Sequence, residues 1–375
     1  MRRNLIRLLV LALSTLLALV AVELALRAHG PAPAFRIWLP GLEVELEPRA
    51  EIMPGVSGPA RFHVSTLGFR ADERPDDVEL SILALGGSAT ECLYLDQDEA
   101  WPARLQLELG TLLARRVWVA NAGKSGRTSR DHALQLRHLL AQEPSFERVL
   151  LLTGVNDLCA WLAAGEVAPA RPAADVTRAF DVVPPDPARR RGWRPTALWD
   201  LLRSLRSRLE GSSLGQDRAG AVYATWRAHR RDAGRWLAEL PDPAPALAEF
   251  RAVLLELLAS ATRHGAGLVL VTQPALWSTA LDPELEGRLW LGGVGDFQHR
   301  AGCAYYTTAA LARGLELFNA ALVDFAREHE LPLLDLAREL AGDPRCFYDD
   351  VHFSEEGARR VARFLAQGLS ALEAR

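Results

Sequence analysis

The sequence is poor in features that would indicate several classes of protein. Lysine occurs once, at Lys124, and the formal net charge is -4. No basic stripe is present, which argues against nucleic-acid binding. The four cysteines form no CxxC pair, so a zinc ribbon or a thioredoxin-like redox motif has no support. The nine histidines show no recognisable ligand spacing, which argues against a metal site.

One long apolar segment stands at the start of the chain. Residues 5–26 are apolar apart from Arg7, Ser14, Thr15 and Glu23. A helix of this length spans about 33 Å, close to the thickness of a bilayer core. Residues 1–30 are therefore predicted to be a single-pass membrane anchor contacting the lipid bilayer through residues 5–26. The arginines that precede the run place the remainder of the chain on the extracytoplasmic side. A signal peptide cleaved near Ala32-Pro33-Ala34, or a buried core helix, are the alternatives.

The rest of the chain divides into a lead-in and an alternating region. Residues 31–80 are rich in proline and are predicted to be a linker with irregular structure. Residues 81–375 contain short apolar runs typical of strands buried on both faces, at Ser81–Leu85, Val117–Ala120, Arg148–Thr153, Leu268–Thr272 and Leu331–Leu336. Helical patterns separate them, at Glu99–Ala114, Arg130–Ala141, Ala246–Arg263, Ala309–His329 and Glu355–Leu372. This alternation predicts an α/β fold with a parallel sheet.

The alternation breaks over about residues 160–245. This segment is dense in arginine, proline and tryptophan and contains no strand candidate. Amphipathic helices are predicted at Thr196–Leu209 and Ala219–Leu240. The segment is either a surface insertion with its own small core or a cap over a functional site, since it begins at a loop on the carboxyl edge of the sheet.

Three loops at predicted strand ends carry candidate functional residues. Gly86-Gly87-Ser88 presents a serine at a helix start, where a serine is also a common N-cap. Gly123 follows the second strand, and its N–H could face a developing oxyanion or belong to a simple turn. Asn156 follows the third strand, and its carboxamide could be a second oxyanion donor or form a turn.

A last loop brings a carboxylate and an imidazole close in sequence. Asp349 and His352 lie three residues apart, immediately before the final helical pattern. A nucleophilic serine needs a base and a carboxylate that orients the base, and these two residues could supply both. Asp350 is the second candidate for the carboxylate. Asp350 and His352 could instead bind a metal, or the loop could serve only as a capped helix start.

Taken together, the four loops resemble the SGNH/GDSL hydrolase family. Its blocks are matched in order by Gly86-Gly87-Ser88, Gly123, Gly154-Val155-Asn156-Asp157 and Asp349 with His352. The first block departs from the usual Gly-Asp-Ser, because Gly87 replaces the aspartate. The resemblance covers about residues 81–372 apart from the insertion.

The resemblance implies a fold, a site and an activity. The expected fold is a flavodoxin-like three-layer α/β/α sandwich with about five parallel strands. The expected catalytic residues are Ser88, Asp349 and His352, with an oxyanion hole formed by Ser88, Gly123 and Asn156. The expected activity is hydrolysis of short O-acyl esters, such as acetyl esters on small molecules or envelope polysaccharide, without a cofactor or metal. An O-acyltransferase using the same triad, or a non-catalytic glycan-binding domain, are the alternatives.

The cysteines allow two interpretations. Cys92 follows Ser88 by four residues and Cys159 follows Asn156 by three. In an oxidising compartment these two could form a disulfide, as could Cys303 and Cys346. Four buried free thiols are the alternative.

Overall fold

The computed structural model describes residues 2–29, 34–142, 145–165, 175–184, 217 and 219–374. The described strands are β1 (Glu43–Leu46), β2 (Ala60–His63), β3 (Leu80–Gly86), β4 (Val117–Asn121), β5 (Arg148–Leu152), β6 (Arg235–Leu237), β7 (Gly267–Val271), β8 (Ala304–Tyr306) and β9 (Leu333–Leu334). The longer described helices are α1 (Arg2–His29), α3 (Trp101–Leu113), α4 (Ser129–Leu139), α5 (Val155–Ala164), α7 (Ala221–Arg231), α8 (Ala244–Arg263), α10 (Thr308–Glu328) and α12 (Glu355–Glu373). Single-turn helices are α2 (Ser88–Glu91), α6 (Val176–Ala179), α9 (Pro283–Glu286) and α11 (Leu336–Glu339).

A five-stranded sheet forms the centre of the fold. Its strand order is β4-β3-β5-β7-β9, and every neighbouring pair is parallel. The strand β3 is buried along its whole length, as expected for a strand covered on both faces. The predicted parallel α/β sheet of about five strands is confirmed, and each predicted strand lies within one or two residues of the observed one. The carboxyl ends of β3, β4 and β5 therefore meet at one edge of the sheet.

The helices that follow the strands pack in two groups. Helices α3 and α12 contact each other, while α4 and α10 both contact α8. Local sequence explains where several of them begin. Thr128 and Asp131 form a capping box at the start of α4. Ser354 caps α12 by accepting a hydrogen bond from the Gly357 N–H at 3.1 Å.

The N-terminal helix α1 has exposed apolar side chains along its length, among them Val10, Leu13 and Leu17. Among the residues that the structure describes, no helix is both long and apolar enough to cross a membrane. The predicted transmembrane anchor over residues 5–26, and with it the predicted contact with a lipid bilayer, is thus not supported. The extracytoplasmic location stays a prediction.

The lead-in is not a linker over the part that the structure describes. From residue 34 onwards it contributes buried side chains to the core, including Ile37, Trp38, Met53 and Phe62. Strands β1 and β2 pair in an antiparallel hairpin-like unit. The linker prediction was therefore wrong for this stretch. The alternation Leu42-Glu43-Val44-Glu45-Leu46 is a strand period at β1, but it is short and lies between prolines.

The described part of the insertion contains the short helices α6 and α7 and the strand β6. The predicted helix over residues 219–240 is helical only in α7, and β6 follows it and pairs in parallel with β8. Gly234 lies between the two elements, and a Cβ there would be 2.4 Å from the carbonyl oxygen of Gly302. This close approach lets the chain run alongside β8, which periodicity could not predict. The predicted helix Thr196–Leu209 lies outside the described residues.

All four cysteines are free thiols in the structure. Cys92 and Cys346 are buried, and Cys159 and Cys303 are partly exposed. Burial raises the pKa of the Cys92 thiol to about 11, so this thiol is protonated and unreactive at neutral pH. Neither of the two disulfides that the sequence allowed is formed.

Candidate active site

Ser88 lies at the carboxyl edge of the sheet because two glycines let the chain turn there. Strand β3 ends at Gly86, and Gly87 is the extended residue that precedes helix α2. A Cβ on Gly86 would lie 2.2 Å from Thr90 Oγ1 and 2.7 Å from the carbonyl oxygen of Leu152. Only glycine fits at this point, and the next residues place Ser88 at the first position of α2. Its N–H there has no carbonyl within the helix to bind.

Ser88 is the first member of a chain of three hydrogen-bonded side chains. Its Oγ lies 2.7 Å from His352 Nε2, and His352 Nδ1 lies 2.7 Å from Asp349 Oδ2. The other carboxylate oxygen, Asp349 Oδ1, accepts from the backbone N–H groups of His352 at 2.9 Å and Val351 at 3.0 Å. Because Nδ1 faces a carboxylate, the imidazole carries its proton on that nitrogen and presents Nε2 to the serine. This is the nucleophile–base–carboxylate geometry.

The surroundings of the imidazole favour its charged form. Asp349 is 0% exposed and His352 is 6% exposed. Burial alone would lower the pKa of His352, but the charge and hydrogen bond of Asp349 raise it above its ordinary value. Burial would raise the pKa of Asp349, but His352 and the hydrogen-bond donors around the carboxylate hold it below its ordinary value. An imidazolium that forms during reaction would therefore be stabilised.

Asp350, the second candidate for the triad carboxylate, points to a different set of groups. Its Oδ1 accepts from the indole Nε1 of Trp277 at 2.8 Å, and its Oδ2 accepts from the backbone N–H of Trp290 at 2.8 Å. Burial and the neighbouring Asp349 charge raise the pKa of Asp350 to about 6. The structure thus places Asp349, and not Asp350, on the imidazole.

The predicted oxyanion donors lie around Ser88, and two of them already have acceptors. The Gly123 N–H donates to Asn121 Oδ1 at 2.9 Å, and Asn156 Nδ2 donates to the carbonyl oxygen of Arg127 at 2.8 Å. A Cβ on Gly123 would lie 2.2 Å from the backbone nitrogen of Glu91, so this loop packs directly on the helix that carries the serine.

Aromatic side chains surround the imidazole, and the motifs do not indicate them. Tyr348 stacks on the His352 ring with centroids 5.5 Å apart, and Tyr223 meets that ring edge-on at 6.0 Å. The indole Nε1 of Trp290 donates to Asp349 Oδ2 at 2.9 Å. Trp226 packs on Trp290 with ring centroids 4.4 Å apart. The abundance of tryptophan in the insertion is a signal for Trp226 alone, and no sequence signal indicated Trp290 or Tyr348, which lie outside the insertion.

Tyr223 and Trp226 belong to helix α7, so this part of the insertion contacts the triad. The same helix is fixed to the catalytic loop by Arg227, whose side chain is buried. Arg227 donates to the carbonyl oxygens of Ile52 at 2.6 Å, Arg288 at 2.8 Å and Tyr348 at 3.2 Å. The described part of the insertion therefore forms a wall of the site.

A small cavity lies next to the nucleophile. It is lined by Ser88, Asn156, Arg127, Gln273 and His132 among other residues. Its volume is about 10 Å³, room for about one water molecule. His132 is buried, and its Nδ1 lies 2.9 Å from Gln135 Oε1. Gln135 Nε2 donates to the carbonyl oxygen of Ala179, so Oε1 is the acceptor and His132 carries its proton on Nδ1.

Among the described residues, no group of three or more His, Cys, Asp or Glu side chains could hold a metal ion.

Solved structures of esterases are similar to this chain. Est24, a carbohydrate acetylesterase from Sinorhizobium meliloti, is 13% identical, with 78% of this chain and 100% of that chain covered and a TM-score of 0.41. A catalytic mutant of Axe2, an acetylxylan esterase from Geobacillus stearothermophilus, is 14% identical, with 78% and 94% covered and a TM-score of 0.42. A member of the lipolytic protein G-D-S-L family from Veillonella parvula is 12% identical, with 78% and 97% covered and a TM-score of 0.41.

The family is established by a separate comparison. No match was found among curated proteins. The family model described as GDSL-like Lipase/Acylhydrolase matches residues 84–360, a span that contains Ser88, Gly123, Asn156, Asp349 and His352. The chain therefore belongs to the GDSL-like lipase/acylhydrolase family and is an ester-hydrolysing serine hydrolase.

Proposed function

We propose that this chain hydrolyses short O-acyl esters through an acyl-enzyme on Ser88. The observation that carries the proposal is the continuous hydrogen-bonded chain from Ser88 Oγ through His352 to Asp349, with both donor–acceptor distances at 2.7 Å. His352 Nε2 takes the proton as Ser88 Oγ attacks the ester carbonyl, and it then returns the proton to the departing alcohol. In the second half of the reaction, His352 Nε2 takes a proton from the water that attacks the acyl-enzyme and then gives it to Ser88 Oγ as the acid leaves.

The tetrahedral intermediate needs donors for its oxyanion. The Ser88 N–H, the Gly123 N–H and Asn156 Nδ2 are the proposed donors, and each such donor is worth roughly 10²–10³ in kcat. Gly123 and Asn156 reach the oxyanion by giving up their bonds to Asn121 Oδ1 and the Arg127 carbonyl. In this proposal, binding of the ester carbonyl completes the oxyanion hole.

The space beside the nucleophile favours a short acyl group. Pockets that bind drug-sized ligands have volumes of roughly 300–1,000 Å³. The cavity beside Ser88 has a volume of about 10 Å³, room for about one water molecule, so it does not hold a long acyl chain. Buried Tyr223, Trp290 and Tyr348 lie close to the imidazole. An acetyl group fits such surroundings better than a long acyl chain. An acetylated carbohydrate is the substrate class that we propose.

The test compares the full chain with two serine variants. Wild type, Ser88→Ala and Ser260→Ala would be assayed with p-nitrophenyl acetate, butyrate and octanoate, and for labelling by a fluorophosphonate. Ser260 is a buried serine in helix α8, away from the site, and serves as the matched control. We expect labelling and turnover to be lost only in Ser88→Ala, with acetate the best of the three esters.

Two results would contradict the proposal. A folded wild-type protein that neither reacts with the fluorophosphonate nor cleaves acetate would contradict the hydrolase mechanism. A preference for octanoate would contradict the short-acyl assignment while leaving the mechanism in place. Adding a sugar acceptor to the assay shows whether the acyl group passes to water or to a hydroxyl group.

A further inference from the structure

Two tryptophans donate their indole N–H groups to two adjacent buried aspartates. Trp290 Nε1 lies 2.9 Å from Asp349 Oδ2, and Trp277 Nε1 lies 2.8 Å from Asp350 Oδ1. Both carboxylates are 0% exposed. Asp349 is hydrogen-bonded to His352 and Asp350 is not, so the two otherwise similar pairs differ in whether the carboxylate belongs to the triad.

The backbone holds Trp290 in place independently of its side chain. Asp350 Oδ2 accepts from the backbone N–H of Trp290 at 2.8 Å and from that of Leu291 at 3.3 Å. Asp350 thus fixes the loop that carries the indole. The Trp290 ring also packs on Trp226 of helix α7, with ring centroids 4.4 Å apart. A change confined to the indole nitrogen would leave both of these restraints intact.

The indole and the imidazole share one oxygen atom. Asp349 Oδ2 accepts from His352 Nδ1 and from Trp290 Nε1, while Oδ1 accepts from two backbone N–H groups. A carboxylate with donors at both oxygens cannot rotate without breaking several hydrogen bonds. We propose that Trp290 is a positioning residue for the triad, which holds Asp349 Oδ2 in line with His352 Nδ1 and so keeps Nε2 directed at Ser88. This inference rests on the triad mechanism proposed above.

Loss of the indole donor should change both the rate and its pH dependence. Asp349 would keep its bonds to the backbone N–H groups of Val351 and His352 but would lose one of the two donors that fix Oδ2, so the imidazole would be held less firmly toward the serine. A hydrogen bond to a charged group has a free energy that corresponds to roughly a tenfold to hundredfold change in rate. The carboxylate would also keep more of its charge density for the imidazolium, so the pKa of His352 should rise further. The charges of Asp350 and Glu91 also raise this pKa, and the substitution leaves both groups in place. The acid side of the kcat/KM profile should then move to higher pH.

The experiment compares Trp290→Phe with Trp277→Phe in the full chain. Hydrolysis of p-nitrophenyl acetate would be measured between pH 5 and about pH 9, with kcat and KM determined separately. We expect kcat to fall about tenfold to a hundredfold in Trp290→Phe with little change in KM, together with the shift of the acid side. Trp277→Phe should lose stability but should not move the acid side to higher pH, because its indole contacts Asp350, whose charge is one of those that raise the pKa of His352.

A second substitution separates positioning from packing. If Trp290→Phe does not fold, β-(3-benzothienyl)alanine at position 290 keeps the ring shape and replaces the N–H with sulfur. We expect the same fall in kcat and the same pH shift in this variant. Wild-type kcat and pH profile in either folded Trp290 variant would overturn the inference. So would equal effects of the Trp290 and Trp277 substitutions on both measurements. Because Ser88 labelling in the wild type is scored separately, these outcomes are distinct from a failure of the hydrolase mechanism.

Discussion

A Cβ on Gly87 would lie 2.3 Å from Asn156 Nδ2, so the space next to the carboxamide of Asn156 is available only because residue 87 has no side chain. The related hydrolases that this chain resembles usually carry an aspartate at that position. Gly87, the residue of the first block that differs from the usual aspartate, is therefore adjacent to Asn156 of the third block. The glycine lets the carboxamide lie over the backbone that leads into Ser88.

This relationship predicts that Gly87→Ala acts through Asn156. The added methyl group should displace the carboxamide and remove one oxyanion donor, which lowers kcat by roughly 10²-fold. Asn156→Ala should lower kcat by a similar factor. The double variant Gly87→Ala with Asn156→Ala should be no worse than Asn156→Ala alone, because the clash has no partner once the carboxamide is gone.

Steady-state kinetics of the three variants with p-nitrophenyl acetate test this prediction. Gly110→Ala is the control, since Gly110 lies in helix α3, away from Ser88. Multiplicative losses in the double variant would show that Gly87 acts independently of Asn156, for example by distorting the turn before Ser88.

A second prediction separates the two adjacent aspartates. Asp349→Asn should lower kcat by about 10⁴-fold, because an amide beside Nδ1 favours the wrong tautomer of His352. Asp350→Asn should mainly lower stability, by about 1–3 kcal/mol, because its NH₂ group would face one of the N–H donors that the carboxylate now accepts. Urea unfolding and kcat measured on both variants test this. A larger kcat loss in Asp350→Asn would assign the triad role to Asp350.

The pH dependence follows from the direction of the pKa shift on His352. The imidazole must be neutral to accept the serine proton, and its pKa is raised by Asp349 above the ordinary value of about 6.5. The value of kcat/KM should therefore be low at acid pH and should rise as the pH passes an apparent pKa above 6.5. Titration of p-nitrophenyl acetate hydrolysis measures this, and a midpoint below 6.5 would contradict the assignment.

Asp350 takes up a proton in a nearby pH range, since its pKa is raised to about 6. The Asp350→Asn variant distinguishes the two groups. If His352 controls the acid side of the profile, that variant retains an acid side, moved to lower pH because the Asp350 charge also raises the pKa of His352. Disappearance of the acid side in Asp350→Asn would instead assign it to Asp350.

The order of the loops allowed the central part of this site to be predicted. More than 260 residues separate Ser88 from Asp349 and His352 along the chain. Each of the three nevertheless lies next to a strand or helix with a clear apolar period. Because parallel strands place their carboxyl ends at one edge, the sheet prediction was enough to bring Ser88, Gly123 and Asn156 together. The spacing of Asp349 and His352 within one loop supplied the rest.

The contacts that could not be predicted come from residues without a local period. Trp290 lies in a loop between α9 and β8, and its role depends on Asp349, Asp350 and Trp226, which are distant in sequence. The core contribution of Trp38 and Phe62 was missed for a related reason, since both lie in short apolar stretches among the prolines of residues 31–80, and their burial depends on contacts distant in sequence. Long-range packing decides such positions, and a single sequence carries no periodic signal for it.

The last prediction concerns the attachment of helix α7 to the catalytic loop. Arg227 is buried and donates to three carbonyl oxygens, of Ile52, Arg288 and Tyr348, and so joins the lead-in, the loop before Trp290 and the loop of Asp349. Arg227→Ala would leave these carbonyls without their donor and should lower the free energy of unfolding by about 3 kcal/mol. Arg231→Ala is the matched control on the same helix, because Arg231 is exposed.

Arg227→Ala should also lower activity, because Tyr348 directly precedes Asp349 and stacks on His352. Urea unfolding followed by tryptophan fluorescence would measure the stability, and acetate hydrolysis under conditions where the variant is fully folded would measure kcat. If Arg227→Ala loses stability but keeps wild-type kcat, helix α7 supports the fold without controlling the catalytic loop. If it matches Arg231→Ala in both measurements, the three hydrogen bonds contribute nothing measurable. The expected result, a joint loss of stability and kcat, would make this helix part of the catalytic apparatus, since the same side chain would then hold both the wall of the site and the loop that carries Asp349.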